Sequence, residues 1–192
     1  MPQVAAEQNF WLRFSLTEHG GTLPSLLSRL QNCQHTVIGI ETKGGNVFGA
    51  YCSSPWKVQP SWFGATESFL WRLKQSRLAG GGSLRNYEHD NEMEVYPYTG
   101  HDEQIQYCTE RTMAVGGGEW SMTNGIVEGS PHVNEPTGIA FMVDGDLMGG
   151  ETNSSATFAN PRLCGNETGG SEFDIAALEV WTLTPSQSTP FP

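Results

Sequence analysis

Apolar residues recur at two spacings along the first quarter of the chain, and each spacing predicts an element. A helical spacing follows Thr22, which can cap a helix, and includes Pro24 at a position tolerated in a first helical turn. The leucines at this spacing are Leu23, Leu26, Leu27 and Leu30. Two runs rich in β-branched and apolar residues follow at 36–42 and 47–52. The glycine turn between them predicts a β-hairpin.

Further short runs of strand-forming residues are bounded by Gly, Pro, Asn or Asp. They lie at 68–73, 93–98, 104–108, 112–115, 138–143 and 178–183. Short strands separated by turns, without alternating helices, favour an antiparallel sandwich over a βαβ array. The pattern therefore predicts a mostly β fold with a few short helices.

The length of 192 residues fits one ordinary domain, which we expect to span 1–184. Two polar, glycine-containing stretches at 75–91 and 119–136 interrupt the strand pattern and are predicted to be surface-loop insertions. Pro, Ser and Thr dominate residues 185–192, which are predicted to form a flexible tail.

The charge balance narrows the possible functions. The net charge is -11, and 17 of the 21 acidic side chains fall in residues 86–192. This balance argues against nucleic-acid binding, which needs clustered Lys and Arg, and against docking on an anionic membrane. Much of the acidity falls in the two predicted insertions and nearby turns. We therefore expect an acidic loop surface that serves either solubility or partner choice.

The apolar runs and the cysteines of the sequence indicate a cytoplasmic protein. No apolar run is long enough for a signal-peptide core or a membrane-spanning helix, so we expect a cytoplasmic protein with no direct membrane insertion. The four cysteines form no CxxC pair and the five histidines show no metal-ligand spacing. The sequence therefore predicts no metal site and no cofactor. We expect all four cysteines to have structural roles, with thiols kept reduced.

Residues 39–56 and 63–71 resemble the TLDc domain family, the module shared by eukaryotic oxidation-resistance proteins. The first block is the predicted hairpin followed by Ser-Ser-Pro-Trp, and the second contains Glu-Ser-Phe-Leu. Shorter matches follow the family order at 19–23, 96–100, 114–118, 144–150, 157–160 and 178–181. Departures from the family pattern occur at Thr66, Tyr98 and Ser155. The motif residues with a possible functional role are His19, Gly20, Gly49, Pro55, Trp56, Gly64, Glu67, Ser68, Gly116, Gly117, Asn160, Glu179 and Trp181.

This resemblance implies an antiparallel two-sheet β-sandwich of the TLDc type. It also implies a role in protection against oxidative stress and binding to peripheral subunits of the vacuolar-type proton-pumping ATPase. No enzymatic reaction is established for the family. The resemblance therefore implies a non-catalytic interaction module with a protein partner.

Glu67 is the candidate residue with the most open interpretations. It lies between a glycine turn and an apolar run, so we expect it near the core, where a carboxylate must be hydrogen-bonded or paired. It can hold backbone amides of the loop, recognise a partner, or serve as the acid/base group of an enzyme. The last role needs a second titratable group within reach, for which His19, Glu179 and Asp144 are candidates.

A carbohydrate-binding sandwich is a further alternative, because aromatic-rich β-sandwiches also serve as lectin-like modules. The tryptophans that this alternative would use are more readily explained as core or edge aromatics; they are Trp56, Trp62, Trp71 and Trp181. Residues 144–146 resemble the start of a calcium loop but lack its twelfth-position Glu, and are predicted to form a hairpin turn with a positive φ at Asp-Gly. Residues 116–118 are predicted to allow close packing at a strand end.

Overall fold

The computed structural model describes residues 8–74, 92–119, 122–123, 126–127, 138–165 and 170–185. The predicted insertion at 75–91 lies outside the described residues, as do 186–192 of the predicted tail. Pro185 ends the last strand. Within the predicted insertion at 119–136, the structure describes Glu119 and a short antiparallel pair, Met122–Thr123 with Ile126–Val127.

Short strands dominate the described residues, with two helices near the start. The helices are α1 (Leu16–His19) and α2 (Leu23–Arg29). The strands are β1 (Gln8–Ser15), β2 (Thr36–Thr42), β3 (Val47–Cys52), β4 (Gln59–Phe63), β5 (Phe69–Lys74), β6 (Glu92–Pro97), β7 (Gln106–Cys108), β8 (Thr112–Val115), β9 (Met122–Thr123), β10 (Ile126–Val127), β11 (Phe141–Asp144), β12 (Gly149–Thr152) and β13 (Glu172–Pro185).

Helix α2 begins where the sequence predicts it. Thr22 Oγ1 accepts a hydrogen bond from the Ser25 N–H at 3.3 Å, which satisfies one of the free donors of the first turn. The Leu23 N–H, another such donor, bonds to the Gly145 carbonyl at 2.8 Å. Leu23 and Leu26 are buried, so the helix closes one side of the core.

Strand β13 joins two layers into one eleven-stranded antiparallel sheet. Its first residues pair with β12. It pairs with β2 from Ile175 to Thr182, with a bulge between Ile175 and Ala177, and with β1 from Glu179 onward. The first layer runs in the order β1-β13-β2-β3-β5-β6, and the second continues through β12-β11-β8-β7-β4. The bulge lets one long strand belong to both layers.

Aromatic contacts show that the two layers face each other. Phe48 on β3 lies 5.8 Å from Phe141 on β11 and 5.2 Å from Phe173, ring centroid to ring centroid. In a flat sheet, β3 and β11 are four strands apart, which is about 19 Å. The sheet therefore folds over itself, and fully buried phenylalanines fill the space between its halves. The predicted mostly β, antiparallel fold is confirmed.

The predicted element bounds are confirmed for 36–42, 47–52 and 112–115, and four other strands shift by one to three residues. The predicted strand at 178–183 is part of the longer β13. Strands β1, β4, β9, β10 and β12 were not predicted. Strand β12 contains Gly149 and Gly150, which have low strand propensity. A Cβ on Gly150 would overlap the Met142 carbonyl oxygen, so close strand packing requires glycine there.

The turn between β11 and β12 is a hairpin turn, as predicted, but its positive φ falls elsewhere. Gly145 is not among the residues with positive φ, whereas Leu147 has φ 55°. The Leu147 N–H bonds to the Asp144 carbonyl at 2.9 Å, and its side chain is fully buried. Burial of that side chain offsets the cost of the left-handed conformation.

None of the helices described is long and apolar enough to cross a membrane.

Candidate interaction surface

The strand register places three rows of side chains on the solvent side of the first layer, which we call the outer face. The central row holds Glu179, Gly39, Gly49, Trp71 and Val95; one flanking row holds Trp181, Val37, Tyr51, Phe69 and Pro97; the other holds Ala177, Glu41, Val47, Leu73 and Met93. Directly paired residues of neighbouring strands point to the same side of a sheet. Each row therefore crosses five strands.

Both sides of this layer are apolar. The inward positions on the same strands are buried in the core; they are Ile38, Ile40, Phe48, Ala50, Leu70, Leu178 and Val180. On the outer face, Met93 and Val95 keep 55% and 49% of their surface exposed. A sheet that is apolar on its solvent side is typical of an interaction surface.

Two tryptophans lie on this face rather than in the core or at an edge. Trp71 lies across β3: a Cβ on Gly49 would be 2.9 Å from its Cζ2 atom, and a Cβ on Gly39 would be 3.8 Å from the same atom. Trp181 donates a hydrogen bond from Nε1 to Glu179 Oε2 at 3.1 Å. The two glycines therefore leave room for one indole, and the second indole holds a carboxylate.

The charge of the outer face is negative. Among the fifteen residues of the three rows, only Glu41 and Glu179 are charged. Glu67 adds a further carboxylate near Tyr51: burial raises the pKa of Tyr51, and the charge of Glu67 raises it further. The Tyr51 hydroxyl is 3.0 Å from His35 Nδ1, and its ring stacks on Phe69 at 5.1 Å.

The expectation that Glu67 lies near the core is wrong. Glu67 is exposed, whereas the next residue, Ser68, is buried. The inward positions of β5 alternate with outward ones, so Ser68 continues the inward set and Glu67 faces solvent. Ser53 connects the two, because its N–H donates to Ser68 Oγ at 3.2 Å and its hydroxyl donates to Glu67 Oε2 at 3.3 Å.

The groups considered as acid/base partners of Glu67 lie on other elements. His19 ends α1, and its Nδ1 accepts the Ser15 N–H at 2.9 Å. Glu179 is held by Trp181 on β13, and Asp144 ends β11. No hydrogen bond joins any of the three to Glu67 within the part of the chain that the structure describes. Gly20 has φ 79° and ends α1, a conformation that favours glycine.

Trp56, next to Pro55, and Gly64 hold in place the segment that connects β3 to β5 and contains β4. Trp56 is buried, and its Nε1 donates to Thr36 Oγ1 at 3.1 Å. Gly64 has φ 129°, and a Cβ there would lie 2.6 Å from Ile105 Cβ. These contacts give the loop motif a structural role.

A second group of motif residues meets at the end of β8. Gly116 has φ 70°, and the Gly117 N–H donates to Thr157 Oγ1 at 3.1 Å. Asn160 accepts a hydrogen bond from Ser155 Oγ at 2.7 Å and donates to the Asn153 carbonyl at 3.0 Å. Ser155, which departs from the family pattern, therefore anchors Asn160 in the fold.

Four acidic side chains line a cleft of about 640 Å³ where β13 passes between the layers. Its carboxylates are Asp144, Glu151, Glu172 and Asp174. Lys43 forms an exposed ion pair with Asp174 at 3.5 Å. The described chain offers no group of three or more side chains placed to hold a metal ion.

All four cysteines are free and buried. Burial raises the pKa of the Cys108 thiol from 9.0 to about 11, and it raises that of Cys164 to about 11 against the opposing effect of Arg162. The pKa of Cys52 is raised by its complete burial. A redox-active thiol needs a lowered pKa and exposure, so these three environments favour packing.

The raised pKa of Cys108 predicts a loss of stability at alkaline pH. Below about pH 9 the thiol is protonated in both states; above it, the unfolded chain loses the proton first, so stability falls until the folded pKa of about 11. Between about pH 9 and about pH 10 this thiol contributes a loss of about 1 kcal/mol. Urea unfolding under reducing conditions should show a weaker pH dependence for Cys108→Ala. Equal pH dependence in both proteins would contradict the prediction.

Comparison with known proteins extends over nearly the whole chain. A family model described as the TLDc domain matches residues 1–184. Oxidation resistance protein 1 of Kluyveromyces lactis is 28% identical over 183 residues, which cover 90% of this chain and 65% of that protein. The chain therefore spans less than two thirds of that relative.

Two further relatives carry different names. GTPase-activating protein skywalker of Drosophila melanogaster is 28% identical over 188 residues, covering 88% of this chain and 26% of that protein. MTOR-associated protein MEAK7 of Gallus gallus is 26% identical over 180 residues, covering 92% of this chain and 32% of that protein. The matching region is thus a module found in proteins of different size and name.

Proposed function

Because the chain belongs to the TLDc domain family, we propose that it is a non-catalytic, cytoplasmic interaction module that protects against oxidative stress by binding peripheral subunits of the vacuolar-type proton-pumping ATPase. The resemblance to oxidation-resistance proteins supports the stress role. The matching region occurs in larger relatives with different names, which supports a binding module rather than an enzyme with one reaction.

The outer face is the observation that carries this proposal. It presents aromatic and aliphatic side chains on the outward side of five strands. Tyr51 is buried among them, whereas Met93 and Val95 at the edge of the face are half exposed. Specific protein interfaces have an apolar, aromatic centre with a polar rim. The motif residues Gly49, Glu179 and Trp181 all belong to this face, whereas Trp56 and Gly64 hold the segment between β3 and β5.

A pull-down of detergent-solubilised vacuolar-type ATPase with the purified chain tests the proposal. We expect association at micromolar concentration. Val95→Glu should weaken it about tenfold, because the new carboxylate must be desolvated in the interface. The matched control is Val58→Glu: Val58 is 52% exposed, close to the 49% of Val95, and precedes β4 on the other layer. Absence of association by the unaltered chain would count against the proposed partner.

A further inference from the structure

We propose that the outer face recognises a partner segment through an arginine, whose side chain lies over Gly39 beside Trp71 and whose guanidinium pairs with Glu179. This inference rests on the proposed function, since it names the partner chemistry that the interaction surface selects. It assigns a binding role to Glu179 as the specificity-determining group of that face.

Gly39 leaves an opening in the central row. It has no side chain, and its neighbour in the row, Gly49, is covered by the Trp71 indole. Atoms Cζ2 and Cη2 of Trp71 come within 3.8 and 3.9 Å of the position of a Cβ on Gly39. The edge of the Trp71 indole therefore forms one wall of the opening over Gly39.

Glu179 forms the opposite wall, because it pairs directly with Gly39 across the strands. Its Oε2 accepts the Trp181 N–H at 3.1 Å, which fixes the carboxylate on the face. Within the described residues, Oε1 has no hydrogen-bond partner. A carboxylate that one neutral donor holds in place through one oxygen leaves its other oxygen to accept hydrogen bonds from a cation.

Arginine fits this opening better than the other cationic side chain. Its aliphatic stem packs on apolar surface while its head reaches the charge, and the Trp71 indole beside the opening offers that surface. Its planar fork also stacks beside aromatic rings and pairs with a carboxylate through several N–H groups, whereas lysine is a strongly hydrated point charge.

The remainder of the row sets the length and polarity of the partner segment. From Glu179 through Gly39, Gly49 and Trp71 to Val95 is four strand spacings, or about 19 Å. The row is negative at one end and apolar at the other, where Val95 is half exposed. The complementary segment therefore carries its arginine at one end and apolar side chains along the rest.

The charge of this face selects a protein over a membrane. Glu41 and Glu179 are its charged residues, and both repel anionic lipid headgroups, which attract basic surfaces. A basic residue of a protein segment is attracted by the same two carboxylates.

The probe for this site is N-acetyl-arginine methylamide, with the neutral citrulline analogue as its control. Titration into the ¹⁵N-labelled chain, followed by the indole N–H resonances, should shift the signals of Trp181 and Trp71. We expect Glu179→Gln to weaken binding about fivefold. The matched control is Glu110→Gln, an exposed glutamate between β7 and β8 on the other layer, which should leave binding unchanged. The citrulline comparison uses the unaltered chain and does not depend on a variant folding.

Equal responses to arginine and citrulline, or an undiminished response in Glu179→Gln, would overturn the proposal. Sedimentation with phosphatidylserine vesicles that Val95→Glu abolishes would assign the face to a membrane and would also overturn it. The ATPase pull-down separates this inference from the proposed function. Association that survives Glu179→Gln refutes the arginine site alone, whereas arginine binding without ATPase association refutes the proposed partner alone.

Discussion

Replacing Gly49 with alanine is expected to lower the free energy of unfolding by about 3 kcal/mol, the upper part of the range for overpacking a close-packed site. A Cβ at this position would overlap the carbonyl oxygen of Ile38 on β2 and lie 2.9 Å from Cζ2 of Trp71. The oxygen belongs to the backbone of a paired strand and cannot move without disturbing the ladder. The cost comes from space alone, because Gly49 is not among the glycines with positive φ.

Chemical denaturation measures this loss, and Gly138→Ala is the matched control. A Cβ on Gly138 would meet nothing within 4 Å, and its φ is not in the positive region. The free energy of unfolding of Gly138→Ala should differ from that of the unaltered chain by less than about 0.5 kcal/mol. Equal stability of the two variants would show that β2 and β3 are not packed under Trp71 as the structure describes. It would also remove the floor of the proposed arginine site.

The hairpin at 36–52 was predictable because its signals are local. Two runs of strand-forming residues flank a glycine turn, and the observed strands begin and end as predicted. The helix was predictable for the same reason, since Thr22 and Pro24 mark its start and the leucines mark its buried side.

The outer face was not predictable from the same signals. Strands β2 and β3 are apolar on both sides, so alternation along the chain does not distinguish the core side from the solvent side. Trp71 and Trp181 were expected in the core or at an edge, because a large apolar side chain is usually buried. Only the pairing of β13 with β2 and of β3 with β5 brings these two tryptophans and Glu179 onto one face.

Glu67 illustrates a related limit. The sequence places it beside an apolar run, but a shift of one residue exchanges the two sides of a strand. Ser68 takes the buried position, and Glu67 faces solvent. The motif was therefore assigned to the correct family. Whether its glutamate is buried depends on how β5 pairs with its neighbours, which the sequence of one strand does not define.

Truncating Phe48 to alanine is expected to cost about 4 kcal/mol, which makes it the most destabilising change considered for this fold. Phe48 is fully buried and meets Phe141 and Phe173 edge to face. It thus connects β3 to the other half of the folded sheet. The substitution removes the buried surface of one ring and leaves a cavity between layers that the strand ladders hold apart.

Phe10→Ala is the control of the same chemistry, because Phe10 is 44% exposed on the edge strand β1. It should cost about 1 kcal/mol or less, in proportion to the smaller area withdrawn from water. Urea unfolding followed by tryptophan fluorescence measures both variants. A cost for Phe48→Ala no larger than that for Phe10→Ala would mean that the two halves of the sheet do not pack on each other. In that case β13 would join two independent layers, and the outer face would lose the rigid support that holds Trp71 and Glu179 in one row.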